Sequence, residues 1–181
     1  ISNGFSFCAL TGKKEVMELG GILNEGEEKV FLTSTTHGGE THSIRAALKT
    51  IEIFKKNQVI VHNHKMGDSL ISRATEVIRK YDIEKSIKLI PCKWIVVFTF
   101  KNPKGEDCSI HRTFFIQEMI NQNILFQGVF IPCYDHKKRE INFFIKGFEK
   151  AVRRYIEAYN QKSIHEKLTG DPTKPVFRKY L

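Results

Sequence analysis

The hydroxyl and glycine residues between positions 33 and 40 are the part of the chain best suited to chemistry. The segment reads Thr-Ser-Thr-Thr-His-Gly-Gly-Glu and contains Thr35, Thr36 and Gly38. Threonine hydroxyls can donate hydrogen bonds, and glycines let a ligand approach the backbone closely. The apolar spacing that follows predicts a helix from Glu40, whose first N–H groups carry partial positive charge. Together these features predict an anion site, most naturally for a phosphate.

Other readings of the polar residues are weaker. A glycine-containing segment before a helix is also typical of an ordinary loop, and the GK[ST] ending of a Walker loop is absent. His37, next to the glycine pair, is the histidine expected near the site, whereas His111 and His136 are expected to be capping or surface residues. The run His62–His64 resembles HNH nucleases by its letters only and is expected at a solvent-facing helix start. The spacing supports no catalytic residue and no metal ligand.

Composition favours a folded protein with a basic surface. The net charge is +9, but the lysines are spread among glutamates, which indicates a solvated basic face and no nucleic-acid partner. Four scattered cysteines without a CxxC pair favour reduced thiols and a cytoplasmic location. No apolar run has the length of a membrane span, and the start lacks the pattern of a signal peptide. The absence of an initiator Met predicts that the chain begins inside a larger protein.

The apolar pattern predicts alternating helices and strands. We expect a turn at Asn3-Gly4, a short buried strand over 5–10, a helical turn over Lys13–Leu19 and a strand over 30–32. One apolar stripe predicts a helix from Glu40 to Asn57. Its members, three or four residues apart, are Ile44, Ala47, Leu48, Ile51 and Phe54.

The second half of the chain continues this order. A helix is predicted with Met66, Leu70, Ala74, Val77, Ile78 and Tyr81 on one face. Residues 87–101 are predicted as strand with Trp94 in the core, and 102–105 as a turn. A helix over 113–121 has core candidates Phe115, Met119 and Ile120. A short strand after Gly128 and a long helix over 141–159 follow, so the order indicates a small α/β domain with helices covering a short sheet.

Two blocks of the sequence resemble a known enzyme family. The block TSTTHGGETHSIRAALKTIEIF is similar to the segment of class III aminotransferases in which a threonine and small residues lead into a long helix. The start, ISNGFSFCALTGKKEVMEL, resembles the piece that follows the lysine of this family, and CYDHKKREINFFIKGFEKA resembles its closing segment. The ending KPVFRKYL is similar to tails of the glutamate-1-semialdehyde-aminomutase-like branch.

The resemblance implies a fold, a cofactor and an assembly. The family has the α/β fold type I of pyridoxal 5'-phosphate (PLP) enzymes and forms homodimers. Residues 1–39 would end the large PLP-binding domain, 40–58 would be an interdomain helix, 59–160 the C-terminal small α/β domain and 161–181 a tail. The family's phosphate-binding threonine corresponds to Thr36, with Thr35 and Gly38 beside it. In the family this threonine reaches the cofactor of the opposite subunit.

The resemblance also implies a reaction. The family's lysine forms a Schiff base with PLP and would lie two positions before Ile1, so this fragment alone is expected to be inactive. Glu40 stands where many relatives have Asn, and GVFIPCYDH is shorter than the matching region of aminomutases. Both differences leave open an aminotransferase acting on a small-molecule amino donor or an aminomutase. Two alternatives remain: a non-catalytic basic α/β module that binds an anionic partner such as RNA, and a relative that has lost the lysine.

Overall fold

A computed structural model describes residues 2–20 and 39–174 of the 181-residue chain. The chain divides into two compact units, Ile1–Val59 and Ile60–Leu181. Within the described ranges no helix combines the length and apolar character that crossing a bilayer requires. All four cysteines are free, as expected for reduced thiols.

The regular structure described in the first unit is helical. Helix α1 spans Lys14–Met17, a 3-10 turn spans Glu18–Gly20, and helix α2 spans Thr41–Lys56. The predicted turn is confirmed, since Asn3 and Gly4 have φ of 50° and 116°. The predicted strand over 5–10 is wrong, because this segment has no regular structure and Leu10 is 72% exposed. A strand is stable only beside partner strands, and residues 2–20 contain none to pair with it.

Helix α2 follows the predicted span but leaves most of its apolar stripe uncovered. It ends at Asn57, whose N–H donates to the carbonyl of Ile53 at 2.9 Å. Ala47 is 2% exposed, whereas Leu48 is 57% exposed. The other exposed apolar side chains of the helix are Ile44, Ile51, Ile53 and Phe54. The 3.6-residue period therefore identified the helix correctly but did not predict burial of the stripe.

The second unit contains a small antiparallel sheet and three long helices. In chain order these are α3 (Val59–Lys80, whose first residue belongs to the first unit), β1 (Ile87–Ile90), β2 (Val96–Phe100), α4 (Ser109–Ile120), β3 (Val129–Phe130) and α5 (Lys138–Asn160). The strands lie in the order β1-β2-β3. Ile87 pairs with Phe100, and Val96 pairs with Phe130. The unit is thus a mixed α/β fold, as predicted.

An aromatic cluster forms the core of this unit. Phe98 of β2 lies 5.3 Å from Phe126 and 5.4 Å from Phe148, centroid to centroid. Phe115 of α4 also packs on Phe148 at 5.4 Å. Each such tilted or edge-to-face pair stabilises the fold by about 0.5–1.5 kcal/mol beyond the contribution of the area that it buries. Phe148 is fully buried. The cluster therefore joins β2, α4 and α5.

The predicted faces of α3 and α5 are confirmed. On α3, Leu70 and Ala74 are fully buried, and on α5 Ile141 and Val152 are fully buried. The start of α5 is capped, because the N–H of Lys137 donates to the Glu140 carboxylate at 3.0 Å. This hydrogen bond satisfies a backbone N–H at the helix start that has no acceptor inside the helix.

Three predictions about the second unit are corrected. Residues 87–101 form two strands joined by a turn, so Trp94 lies in the connection and is 62% exposed instead of buried. Ile120, at the last turn of α4, is 51% exposed, and Phe114 is buried in its place. The strand after Gly128 is only two residues long.

Candidate cofactor site at the start of helix α2

The predicted site residues Thr35, Thr36 and Gly38 lie outside the described residues, as does His37. Gly39, the next residue that the structure describes, has φ of 78° and lies in a turn that leads directly into α2. The left-handed backbone at this point is favourable for glycine and strained for residues with a side chain. The backbone therefore enters α2 through a turn at Gly39.

Polar side chains surround the first turn of α2. The Glu40 carboxylate accepts a hydrogen bond from the Ser43 hydroxyl at 3.2 Å and lies 3.3 Å from His42 Nε2. Ser43 is 1% exposed. The ring of Phe5 contacts the ring of His42 at 5.4 Å between centroids, so the N-terminal turn lies beside the helix start. Neither Ser43 nor His42 was predicted as a site residue; the signal in the sequence for this contact is the three-residue spacing of Glu40 and Ser43.

The backbone at this helix start can accept an anion. The first helical hydrogen bond runs from the Ile44 N–H to the Glu40 carbonyl at 3.0 Å. The Glu40 side chain does not cap the first turn, and Thr41 and the residues after it in that turn are not acidic. Within the part of the chain that the structure describes, the N–H groups that precede Ile44 therefore have no helical acceptor and no cap from Glu40. Donors of this kind, with the helix dipole, are the usual elements of a phosphate site.

A separate polar cluster in the second unit has a structural role. The Glu149 carboxylate accepts hydrogen bonds from Lys80 at 2.7 Å, Tyr81 at 2.9 Å and Arg153 at 3.2 Å. The hydrogen bond from Lys80 is the largest of the influences that lower the pKa of Glu149 to about 2. The cluster joins the end of α3 to α5 on the surface. No reacting group is suggested by this arrangement.

Histidines of the second unit are also held by structural contacts. His111 Nδ1 lies 2.7 Å from the hydroxyl of Tyr155, and burial lowers the pKa of His111. Burial likewise raises the pKa of Tyr155. His62 Nε2 lies 2.8 Å from the carbonyl of His136. His62 is therefore half-buried and tied to the loop before α5, where a solvent-facing side chain was predicted. In the described ranges no three His, Cys, Asp or Glu side chains form a metal-binding group.

Comparison with known proteins finds a weak similarity to part of a longer protein. No protein-family model matches the chain. Similarity is found to an aminotransferase, which supports a relationship of this chain to a part of such an enzyme. That protein is the 3-aminobutyryl-CoA aminotransferase of Cloacimonas acidaminovorans (strain Evry), with 25% identity over 154 residues, or 84% of this chain. The match covers 35% of the relative, so the chain spans about a third of its length.

Proposed function

We propose that this chain is the C-terminal part of a PLP-dependent class III aminotransferase of fold type I. The observation that carries the proposal is the similarity to an aminotransferase over 84% of the chain. The resemblance of the sequence blocks around Thr36 and after Ile1 to this family agrees with it. The reaction is transfer of an amino group from a small-molecule donor. An aminomutase reaction, as in the glutamate-1-semialdehyde branch, is the second form of the same chemistry.

The donors proposed at the start of α2 would fit the phosphate of PLP. Thr36 would donate its hydroxyl, Thr35 and Gly38 would add neighbouring donors, and the uncapped first turn of α2 would add backbone N–H groups. The Glu40 carboxylate, which accepts a hydrogen bond from Ser43, lies at the same helix start and would repel a phosphate there. PLP, when bound, supplies an electron sink for the substrate carbon. The residues of this chain would bind and orient it.

The remaining parts of the active site lie outside this chain in the proposal. A lysine two positions before Ile1 would hold the cofactor covalently and move the proton. The threonine would reach the cofactor of the partner subunit, so the functional form would be a homodimer. Residues 59–160 would be the small domain of each subunit. The 181 residues alone would then be inactive.

Substitution of Thr36 tests the cofactor site. Thr36→Val in the full-length protein removes one hydroxyl donor, and a hydrogen bond to a charged group contributes about 1.5–3 kcal/mol. We therefore expect PLP affinity to fall by roughly tenfold to a hundredfold. The measurement is the amount of PLP retained, followed by visible absorbance during dialysis against PLP-free buffer.

Matched variants make the result specific. Thr36→Ser keeps the hydroxyl and should retain PLP nearly as well as the native protein. Thr33→Val removes a hydroxyl that the resemblance does not assign to the cofactor and should leave retention unchanged. If Thr36→Val retains PLP as well as Thr36→Ser does, Thr36 is not a phosphate ligand.

A further inference from the structure

Lysines of the second unit surround a small cavity on one side of the sheet. The cavity has a volume of about 350 Å³. Its basic lining residues are Lys85, Lys88, Lys101 and Lys104. Tyr159 of α5 adds a half-buried phenol to the same cavity. Cationic side chains from two chain segments, residues 85–88 and 101–104, therefore line one concave surface.

Strand pairing brings these lysines together. The N–H of Lys101 donates to the carbonyl of Ser86 at 2.8 Å, which holds the end of β2 beside the residue before β1. Lys88 pairs with Thr99, so it lies on the adjacent strand two residues from that contact. The turn that carries Lys104 is fixed by Asn102, whose side-chain oxygen accepts the N–H of Lys104 at 2.9 Å. Backbone pairing and the Asn102 turn therefore set the positions of the lysines that line the cavity.

The positive charge in this cavity is largely uncompensated. Lys101 pairs with Asp107 at 3.3 Å and donates to the carbonyl of Gly105 at 3.0 Å. Lys85, Lys88 and Lys104 have no carboxylate partner within the described ranges. No acidic residue lines the cavity, although Glu106 and Asp107 belong to the neighbouring turn. A concave surface lined by charge of one sign concentrates counter-ions of the other.

We propose that this lysine cavity binds a small molecule that carries clustered phosphate groups, as a nucleoside diphosphate or coenzyme A does. Lysine recognises phosphate as a point charge. A ligand with several neighbouring phosphate charges therefore matches three or four lysines better than a ligand with a single carboxylate does. The volume lies within the range of small-ligand pockets, about 300–1,000 Å³. A nucleic-acid surface is less well matched, because binding of a strand requires a basic groove that continues along its backbone. This proposal does not rest on the PLP site proposed at α2.

Calorimetric titration of the full-length protein, saturated with PLP, tests the proposal. The probe is ADP, with coenzyme A, pyrophosphate and a single-stranded RNA oligonucleotide as separate titrants. The test variant carries Lys85→Gln, Lys88→Gln and Lys104→Gln. The control carries Lys65→Gln, Lys146→Gln and Lys150→Gln, which remove the same charge from exposed positions of α3 and α5.

We expect the native protein to bind ADP and the test variant to bind ADP about tenfold to a hundredfold more weakly. Each exposed ion pair contributes a factor of up to about five to the affinity, and the variant removes three lysines. The control variant should bind ADP like the native protein, and added salt should weaken binding. PLP absorbance should be equal in all three proteins. Equal loss in both variants, no binding of any phosphate probe, or binding of the RNA alone would overturn the proposal.

Discussion

Replacement of Gly67 by alanine tests the packing of α3 on the turn between β1 and β2. A Cβ atom at this position would lie 2.0 Å from the carbonyl oxygen of Lys93 and 2.8 Å from its carbonyl carbon. Carbon contacts are most favourable at about 3.5–4 Å, so the turn or the helix must move by more than ~1 Å. The same junction holds an ion pair between Lys93 and Asp68 at 3.0 Å. The helix can therefore lie this close to the turn because residue 67 has no side chain.

Two opposing effects set the magnitude. Overpacking of this kind costs about 1–3 kcal/mol and sometimes more, and the obstacle here is backbone instead of a flexible side chain. Alanine is favoured over glycine inside a helix by about 1 kcal/mol. We expect Gly67→Ala to lower the free energy of unfolding of the second unit by about 1–2 kcal/mol. That change corresponds to roughly a five- to thirtyfold increase in the open population.

Hydrogen exchange of the full-length protein measures this change locally. Peptides from α3 and α5 should exchange their slowest amides about tenfold faster in Gly67→Ala, because both helices share one core. Gly170→Ala is the control, since no atom of the described residues beyond its chain neighbours lies within 4 Å of the added Cβ. It should change exchange by less than about twofold. If the two variants exchange alike, the close approach of Gly67 to Lys93 does not exist in solution.

Two further predictions concern the polar clusters of the second unit. The folded-state pKa of Glu149, about 2, lies below its ordinary value of 4.5, so its stabilisation is full above pH ~4.5 and is lost as pH falls toward 2. After allowance for solvent screening, the ionised Glu149 carboxylate contributes about 1–2 kcal/mol to the free energy of unfolding. When that free energy is measured against pH, the native protein should lose this contribution between pH ~4.5 and 2. The control Glu157→Gln should show the same loss, and Glu149→Gln should not. Tyr155→Phe removes the hydroxyl beside His111 Nδ1 and should cost about 1–3 kcal/mol in urea unfolding. An unchanged midpoint would show that this contact is not formed.

Helix positions were predictable because their signal is local. The stripes of α3 and α5 repeat every three or four residues over 22 and 23 residues, which fixes both the helix and its buried face. α4 has only 12 residues and apolar side chains around much of its circumference, so Ile120 was assigned to the wrong face. Trp94 was misassigned because composition does not show where a strand run is interrupted by a turn.

Features that depend on pairing were not predictable in the same way. The lysine cavity was missed because its members are brought together by the β1–β2 register, and in the sequence they read as scattered surface charge. The predicted strand over 5–10 failed for a related reason, since its stability requires neighbours that residues 2–20 do not supply. Of the candidate cofactor site, the helix start was predicted correctly, whereas the threonines remain a prediction.

The most direct test of the proposed function is the location of the cofactor in the full-length protein. Borohydride reduction fixes bound PLP to its lysine, and peptide mass spectrometry then identifies the residue. We predict a pyridoxyl group on a lysine two positions before Ile1. A protein that takes up no PLP, or that carries the group on another residue, would contradict the assignment.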